Sequence, residues 1–297
     1  MSIFFYIDDD LINFDDPTSL VKDEYRDYFA RREIAPYLFS EICVLDMIFA
    51  LSGMDQGYYL DRLVLKGGLS VRNHVPLIDH RFSFDADYNP NTHSGYTFGD
   101  VDEIRRDFAE YGARRGCKTT IRTTKDSTEL LFLEFEYRKS LREKRCSLVE
   151  APKIEVCKRC RVFEKPAKNP MNTFIDLELL GLKPPEVLHV ALEEQLATKL
   201  FIIGSSGRQR NHFDAYDVMR ITESNKVKWG LTKSIFERLV GRRKAKATLY
   251  IEQCRRQLDA MLQNRGKRSS LEDTVFRKEF SFDEMVETVK SAYDFKG

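Results

Sequence analysis

No stretch of this chain stays apolar long enough to span a bilayer, which removes the classes built on transmembrane helices. The opening MSIFFYIDDDLINFDD is apolar for only a few residues and then acidic, without a basic leader, so it does not read as a secretory signal. Cysteine is sparse and irregular: six residues with no repeated spacing, the pattern expected of reduced thiols in a cytoplasmic protein. Cys157 and Cys160 form the only CxxC, and no second pair stands at zinc-ribbon spacing, so the expectation is that Cys157 packs on a strand beside Glu155. His74 and His212 have no partner at ligand spacing and read as structural or surface residues. Net charge is also small, +1 from 48 basic and 47 acidic side chains. That balance describes a well-solvated surface and leaves only local patches as a means of attracting polyanions. There is no internal repeat and no low-complexity tract.

What is present begins with KGGLSVRNHVPLIDHRFSFDAD, residues 66–87. Leu63, Val64 and Leu65 read as a short buried strand, after which Gly67 and Gly68 let the backbone turn sharply and approach a ligand. Amides released at such a turn before a helix form an anion site suited to phosphates. Lys66, Ser70 and Arg72 can add charge and a hydroxyl to it. Asp85 and Asp87 stand two apart, so on an extended strand both carboxylates project to one side and can share a divalent cation. Mg²⁺ favours a few carboxylates together with phosphate oxygens and water. Either half of this pattern alone is common; strand, glycine pair, helix and Asp-x-Asp strand in that order is restrictive.

At 297 residues the chain can bury one large core or two smaller ones. Residues 17–52 have helical spacing (Leu38, Ile42, Leu45, Phe49), Asp55, Gln56 and Gly57 mark a break, and residues 88–100 are turn-rich. A helix over 102–115 precedes strands over 117–123, 129–137 and 153–157. This order predicts an α/β sheet covered by helices on one side. The proline-bearing stretch 165–185 reads as a passage to a second lobe, with helices over 188–203, 213–222, 231–240, 244–262 and 282–293 and a polar loop over 264–273. The predicted division is a core with N-terminal helices over 1–165 and a mainly helical lobe over 186–297.

The run KGG followed by RFSFDAD resembles the AbiEii/AbiGii family of nucleotidyltransferase toxins, found in bacterial toxin–antitoxin and abortive-infection systems. Three further motifs of that family follow in order: KIEV at 153–156, LEEQLATK at 192–199, and RNHFDAYD at 210–217. Two departures stand out. Leu69 takes the place of the usual hydroxyl residue after the glycines, leaving Ser70 one position later, and Phe213 replaces the arginine before Asp214, so that a basic partner is expected from Arg208 or Arg210.

The resemblance implies a polymerase-β-like nucleotidyltransferase core, a mixed sheet with flanking helices, plus a helical C-terminal lobe that contributes Lys199 and Asp214 to the cleft. It implies Mg²⁺ or Mn²⁺ held by Asp85, Asp87 and Glu155, with Glu155 as general base and Glu134 and Glu136 as its rivals. Lys66, Gly67, Gly68, Ser70, Arg72, Lys199 and Arg210 become the nucleotide-binding set, although Lys199 at the border of an apolar stripe also fits a snorkelling surface lysine. Asp214 and Asp217 lie on one helical face, where they orient Lys199 or Arg210, position the acceptor, or complement the helix dipole.

The implied reaction is transfer of NMP from an NTP to an RNA acceptor. For some family members that acceptor is the tRNA 3′ end, the modification blocks translation, and a cognate antitoxin encoded nearby restrains the toxin. A small-molecule or protein acceptor, and a non-catalytic module that binds NTP and RNA, are the alternatives. Two basic stretches favour RNA, residues 138–145 (RKSLREKR) and 242–268, though each also fits a solvated surface.

Overall fold

The computed structural model describes residues 17–29, 35–54, 58–83, 85–96, 101–114, 118–124, 130–135, 152–158, 160–205, 209–276 and 279–296. The chain divides into two compact units: Met1–Leu69 with Phe82–Val190, and Ser70–Arg81 with Ala191–Gly297. The boundary therefore falls later than the predicted passage, and a short segment from the middle of the first motif joins the C-terminal unit.

The first unit is built on a seven-stranded mixed sheet in the order β3-β4-β5-β2-β1-β7-β6. Its strands are β1 (Leu63–Lys66), β2 (Asp85–Pro90), β3 (Thr119–Thr123), β4 (Leu130–Phe135), β5 (Lys153–Cys157), β6 (Ala167–Pro170) and β7 (Glu186–His189). Among its helices are α1 (Arg26–Phe29), α2 (Ala35–Gly53), α3 (Tyr58–Arg62), the short α4 (Gly67–Val71) that leads out of the unit, and α5 (Val101–Arg114). Alternation decides the faces of the central strands. Ala86, Tyr88, Leu131, Leu133, Phe135, Ile154 and Val156 are buried, while Asp85, Asp87, Phe132, Lys153 and Glu155 are only partly covered. Helix α5 packs on the apolar side, where Phe108 stacks on Phe135 with ring centroids 4.5 Å apart. The expected helical positions Leu38, Ile42, Leu45 and Phe49 are all buried in α2.

Three sequence expectations change here. Tyr88, Asn89 and Pro90 belong to β2 rather than to a turn, because they pair across to Leu65, Val64 and Leu63. Residues 165–185 are not only a passage: β6 lies within them, and β7, whose last two residues Leu188 and His189 were predicted to open a helix, runs parallel to β1. Four residues with two buried apolar neighbours cannot be told from a helical turn by periodicity. Leu188 and Val190 then pack with Val64 and Val162. Finally, Cys157 and Cys160 are joined in a disulfide, against the expectation of reduced thiols. The strand ends at Cys157, and the following turn, closed by the Cys160 amide donating to the Cys157 carbonyl, returns the second sulfur to the first.

The second unit is helical: α6 (Leu192–Ile203), α7 (Asn211–Ser224), α8 (Trp229–Arg242), α9 (Ala247–Leu262), α10 (Arg265–Glu272) and α11 (Phe282–Ala292). Leu196, Leu200, Val218, Ile221, Ile235, Phe236, Leu258 and Val286 form its core. The stretch predicted as a polar loop after α9 is helix α10, capped by Asn264, whose side chain accepts from the Lys267 amide at 3.1 Å. Ser281 caps α11 in the same way, with Asp283 and Glu284 in the first turn and Lys290 in the last, complementing the dipole at both ends. The imported segment is tied in by Tyr216, whose hydroxyl donates to the Asp79 carbonyl at 3.0 Å, and by Asn225, which donates to the His74 carbonyl at 2.7 Å.

Candidate active site

The exposed side of the sheet carries a row of charges across three strands. Lys66 is opposite Asp87 in the antiparallel β1–β2 pair, and Asp87 is opposite Glu155 in the parallel β2–β5 pair. One pleat earlier, Asp85 is opposite Lys153. Residues two apart on a strand share a face, so these registers gather Asp85, Asp87, Glu155, Lys66 and Lys153 on one side. The two chain crossings on either side of β2 thus bring Glu155 to carboxylates about seventy positions away by number.

Oxygens of Asp85, Asp87 and Glu155 all lie within 4.8 Å of one another, the one such metal-capable cluster among the described residues. The Glu155 carboxyl is held above its usual pKa, first by burial and then by the charge of Asp87; Lys153 and Lys66 act in the opposite direction. The Lys153 ammonium sits 2.9 Å from Glu155 Oε1. Three hard oxygen donors on one face, one of them strained by its neighbour's charge, fit a divalent cation of the Mg²⁺ or Mn²⁺ type. Glu134, a rival for the third position, is instead ion-paired with Arg122, and Glu136 lies outside the described residues.

Gly67 explains why a glycine opens the turn. Its φ is +71°, and a Cβ built there would overlap Asp87 Oδ2 and approach Cγ to 2.9 Å. The carboxylate therefore lies directly against the Gly67 backbone, a position no side chain at 67 would permit. Gly68 and Ser70 follow in α4; Ser70 is buried, and Arg72 is buried with its Nε donating to His80 Nδ1 at 3.4 Å.

A second charged centre occupies the interior of the helical unit. The Lys199 ammonium lies 2.8 Å from Asp214 Oδ1 and 2.7 Å from Asp217 Oδ2. Arg81 holds Asp217 with two parallel bonds, Nε to Oδ1 at 3.0 Å and Nη2 to Oδ2 at 2.9 Å, and its guanidinium stacks 4.9 Å above the Phe213 ring. Burial pulls the Lys199 pKa down, but Asp214 and Asp217 outweigh it and hold it above the ordinary value. Two cations and two anions close a neutral set in which every side chain is 8% exposed or less. Of the expected roles for Asp214 and Asp217, contact with Lys199 is seen, and Asp214 also lies in the first turn of α7, where it complements the helix dipole.

The sequence reading missed two members of these centres. Of the basic residues expected beside Asp214, Arg208 lies outside the described residues and Arg210 is the residue preceding α7. Arg81 takes the Asp217 pairing from 136 positions earlier. Its signal was its place at the head of RFSFDAD. Lys153 likewise begins KIEV, and strand alternation places it on the Glu155 face.

A model of the AbiEii nucleotidyl transferase toxin family of type IV toxin–antitoxin systems matches residues 50–294. The chain belongs to that family. As an AbiEii toxin it is a nucleotidyltransferase with an NTP substrate and an antitoxin partner. Among solved structures it is similar to MenT4, a nucleotidyltransferase toxin from Mycobacterium tuberculosis, with a TM-score of 0.60 and 19% identity over 91% of this chain and 87% of that one. At that identity the likeness bears on the fold, and it agrees with the mixed sheet and flanking helices described above. No curated protein sequence matches the chain.

Proposed function

We propose that this AbiEii toxin transfers a nucleoside monophosphate from an NTP to the 3′ end of tRNA in the cytoplasm, blocking translation until its antitoxin restrains it. The observation that carries the reading is the convergence of Asp85, Asp87 and Glu155 beside the Gly67 turn. These carboxylates would hold Mg²⁺ or Mn²⁺, which when bound offsets the charge of the triphosphate and lowers the pKa of an attacking hydroxyl. In this reading Glu155 also accepts the proton of that hydroxyl. The acceptor oxygen then bonds to the α-phosphorus while the bridge to the β-phosphate breaks and pyrophosphate leaves. Lys66 and the amides of Gly67 and Gly68 receive the phosphates. Lys199 and Asp214 are required for turnover in this reading, with Ser70, Arg72 and Arg210 contributing to nucleotide recognition.

Support for a cytoplasmic site of action comes from the substrate, and among the described residues no helix is long and apolar enough to cross a membrane. The test is incubation with each labelled NTP, Mg²⁺ or Mn²⁺ and total tRNA, using the natural protein and Asp85→Asn. Label entering tRNA from the natural protein alone is the expected result. Absence of any Asp85-dependent transfer to tRNA overturns the proposal.

A further inference from the structure

Positive charge is concentrated in one part of a nearly neutral chain. Residues 229–272 hold eleven Lys and Arg against four Asp and Glu, whereas the whole chain carries +1. The structure sorts these charges. In the middle of α9, Arg255 is tied to Asp294 at 2.7 Å and Asp259 to Lys290 at 2.6 Å, so charge there is largely balanced. At its N-terminal end the turn after α8 exposes Arg242, Arg243, Lys244 and Lys246. This turn is anchored rather than loose: Arg243 stacks 4.6 Å over the Phe201 ring, and Lys244 adopts the left-handed conformation at φ 54°.

At the other end, α10 presents Arg265 and Arg268 around a cavity of about 420 Å³ that Ser269 and Glu272 also line. Arg268 is fixed there by Asp283 at 3.0 Å and by the Phe282 ring at 5.0 Å. The 16 residues of α9 separate the two clusters by about 24 Å along its axis. Its buried stripe, Tyr250, Cys254, Leu258 and Met261, faces the core and leaves Arg256 exposed. Lys244, Lys246, Arg256 and Arg265 have no ion-pair partner among the described residues.

A protein partner would need apolar or aromatic anchors. Among the described residues only Leu179 and Leu249 are large, apolar and exposed, and Leu249 is the single one on this surface. A phosphate backbone needs only spaced cations, and a duplex with one charge per about 1.7 Å presents roughly fourteen charges over about 24 Å. We infer that the α8–α9 turn, Arg256 and the α10 corner form a docking surface for the sugar-phosphate backbone of RNA. It positions the acceptor without reading its sequence. This rests on the RNA-acceptor reading above and adds to it the surface that holds the RNA body.

The test is fluorescence anisotropy of labelled total tRNA against the full-length protein from 25 mM to 200 mM salt, at about the range where phosphate contacts dominate. The variant carries Lys244→Asn, Lys246→Gln, Arg256→Gln and Arg265→Gln; Asn suits the left-handed position at 244. Expected are affinity at least about tenfold weaker and a log–log salt slope shallower by about 3.6, four duplex contacts at about 0.9 each. Stabilisation by NTP with Mn²⁺ should stay unchanged, and Lys244→Arg with Lys246→Arg should bind tRNA like the natural protein. If the natural protein binds no tRNA at low salt, the RNA reading and this surface fall together. If it binds and labels tRNA and the fourfold variant does so equally, the surface is wrong and the RNA reading stands. Displacement of tRNA by poly-L-glutamate at equal charge concentration would assign the face to an acidic protein and overturn the inference.

Discussion

The sheet face and the helical interior each collect carboxylates from distant parts of the chain, yet their charges are managed in opposite ways. Asp85, Asp87 and Glu155 are only partly covered and crowd one another; the Glu155 carboxyl is pushed up first by its burial and then by the charge of Asp87, an arrangement that fits a cation. Asp214 and Asp217 are almost wholly buried and already have their cations in Lys199 and Arg81. An acidic pair in a sequence is therefore ambiguous until the cations that reach it are known. Exposure lets the first centre exchange its counter-charge with solvent, whereas burial makes the counter-charge of the second part of the fold.

Substitutions can break this contrast. Asp87→Asn should lower nucleotide transfer by on the order of 10³, and abolish Mn²⁺-dependent stabilisation, with a melting temperature close to that of the natural protein. A large loss of stability instead would place Asp87 with the structural group. Lys199→Met should do the reverse to the fold. It removes the ammonium that two buried carboxylates share and should cost about 3–5 kcal/mol in denaturant unfolding. Adding Asp214→Leu should recover part of that loss; no recovery would mean that the network is not coupled as its geometry indicates.

His212 sharpens the comparison through pH. It neighbours Asp214, both ring nitrogens lack a hydrogen-bond partner, and burial, followed by Lys267 and Arg81, lowers its pKa to about 4. The unfolded chain, with a pKa of 6.5, then binds a proton that the folded state refuses. Stability is full above about pH 6.5 and falls as pH drops towards 4, by at most about 3 kcal/mol. Unfolding midpoints measured across that window should flatten in His212→Gln; an unchanged slope would remove His212 as the cause. The smallest effect is expected from Gly67→Ala, about 1–3 kcal/mol of left-handed strain. Its informative readout is Mn²⁺ affinity, which should weaken as Asp87 is displaced. Unaltered affinity would show that the close approach of Gly67 does not set the carboxylate.

Much of the sheet centre was legible because it depends on short-range rules. Asp85 and Asp87 share a face through strand alternation, and the glycine pair next to a buried strand announces a tight turn. Glu155 needed the resemblance, since nothing local separates it from Glu134; pairing of Glu134 with Arg122 and of β5 with β2 separates them in space. The helix α10 was missed because its residues are polar and its cap, Asn264, also suits a loop. Strand β7 was missed because its burial depends on pairing with β1, far earlier in the chain, and with β6, the preceding strand across an irregular stretch.

Residue order by itself determined the motifs, the family they belong to, the α/β-then-helical plan and the local geometry at Gly67, Asp85 and Asp87, all of which follow from neighbours within a few positions. Tertiary structure alone decided that Glu155 completes the acidic cluster, that Arg81 serves Asp217, and that residues 70–81 pack with the C-terminal unit. Those outcomes depend on strand register and on which charges can be neutralised when buried, and both are properties of the folded chain as a whole.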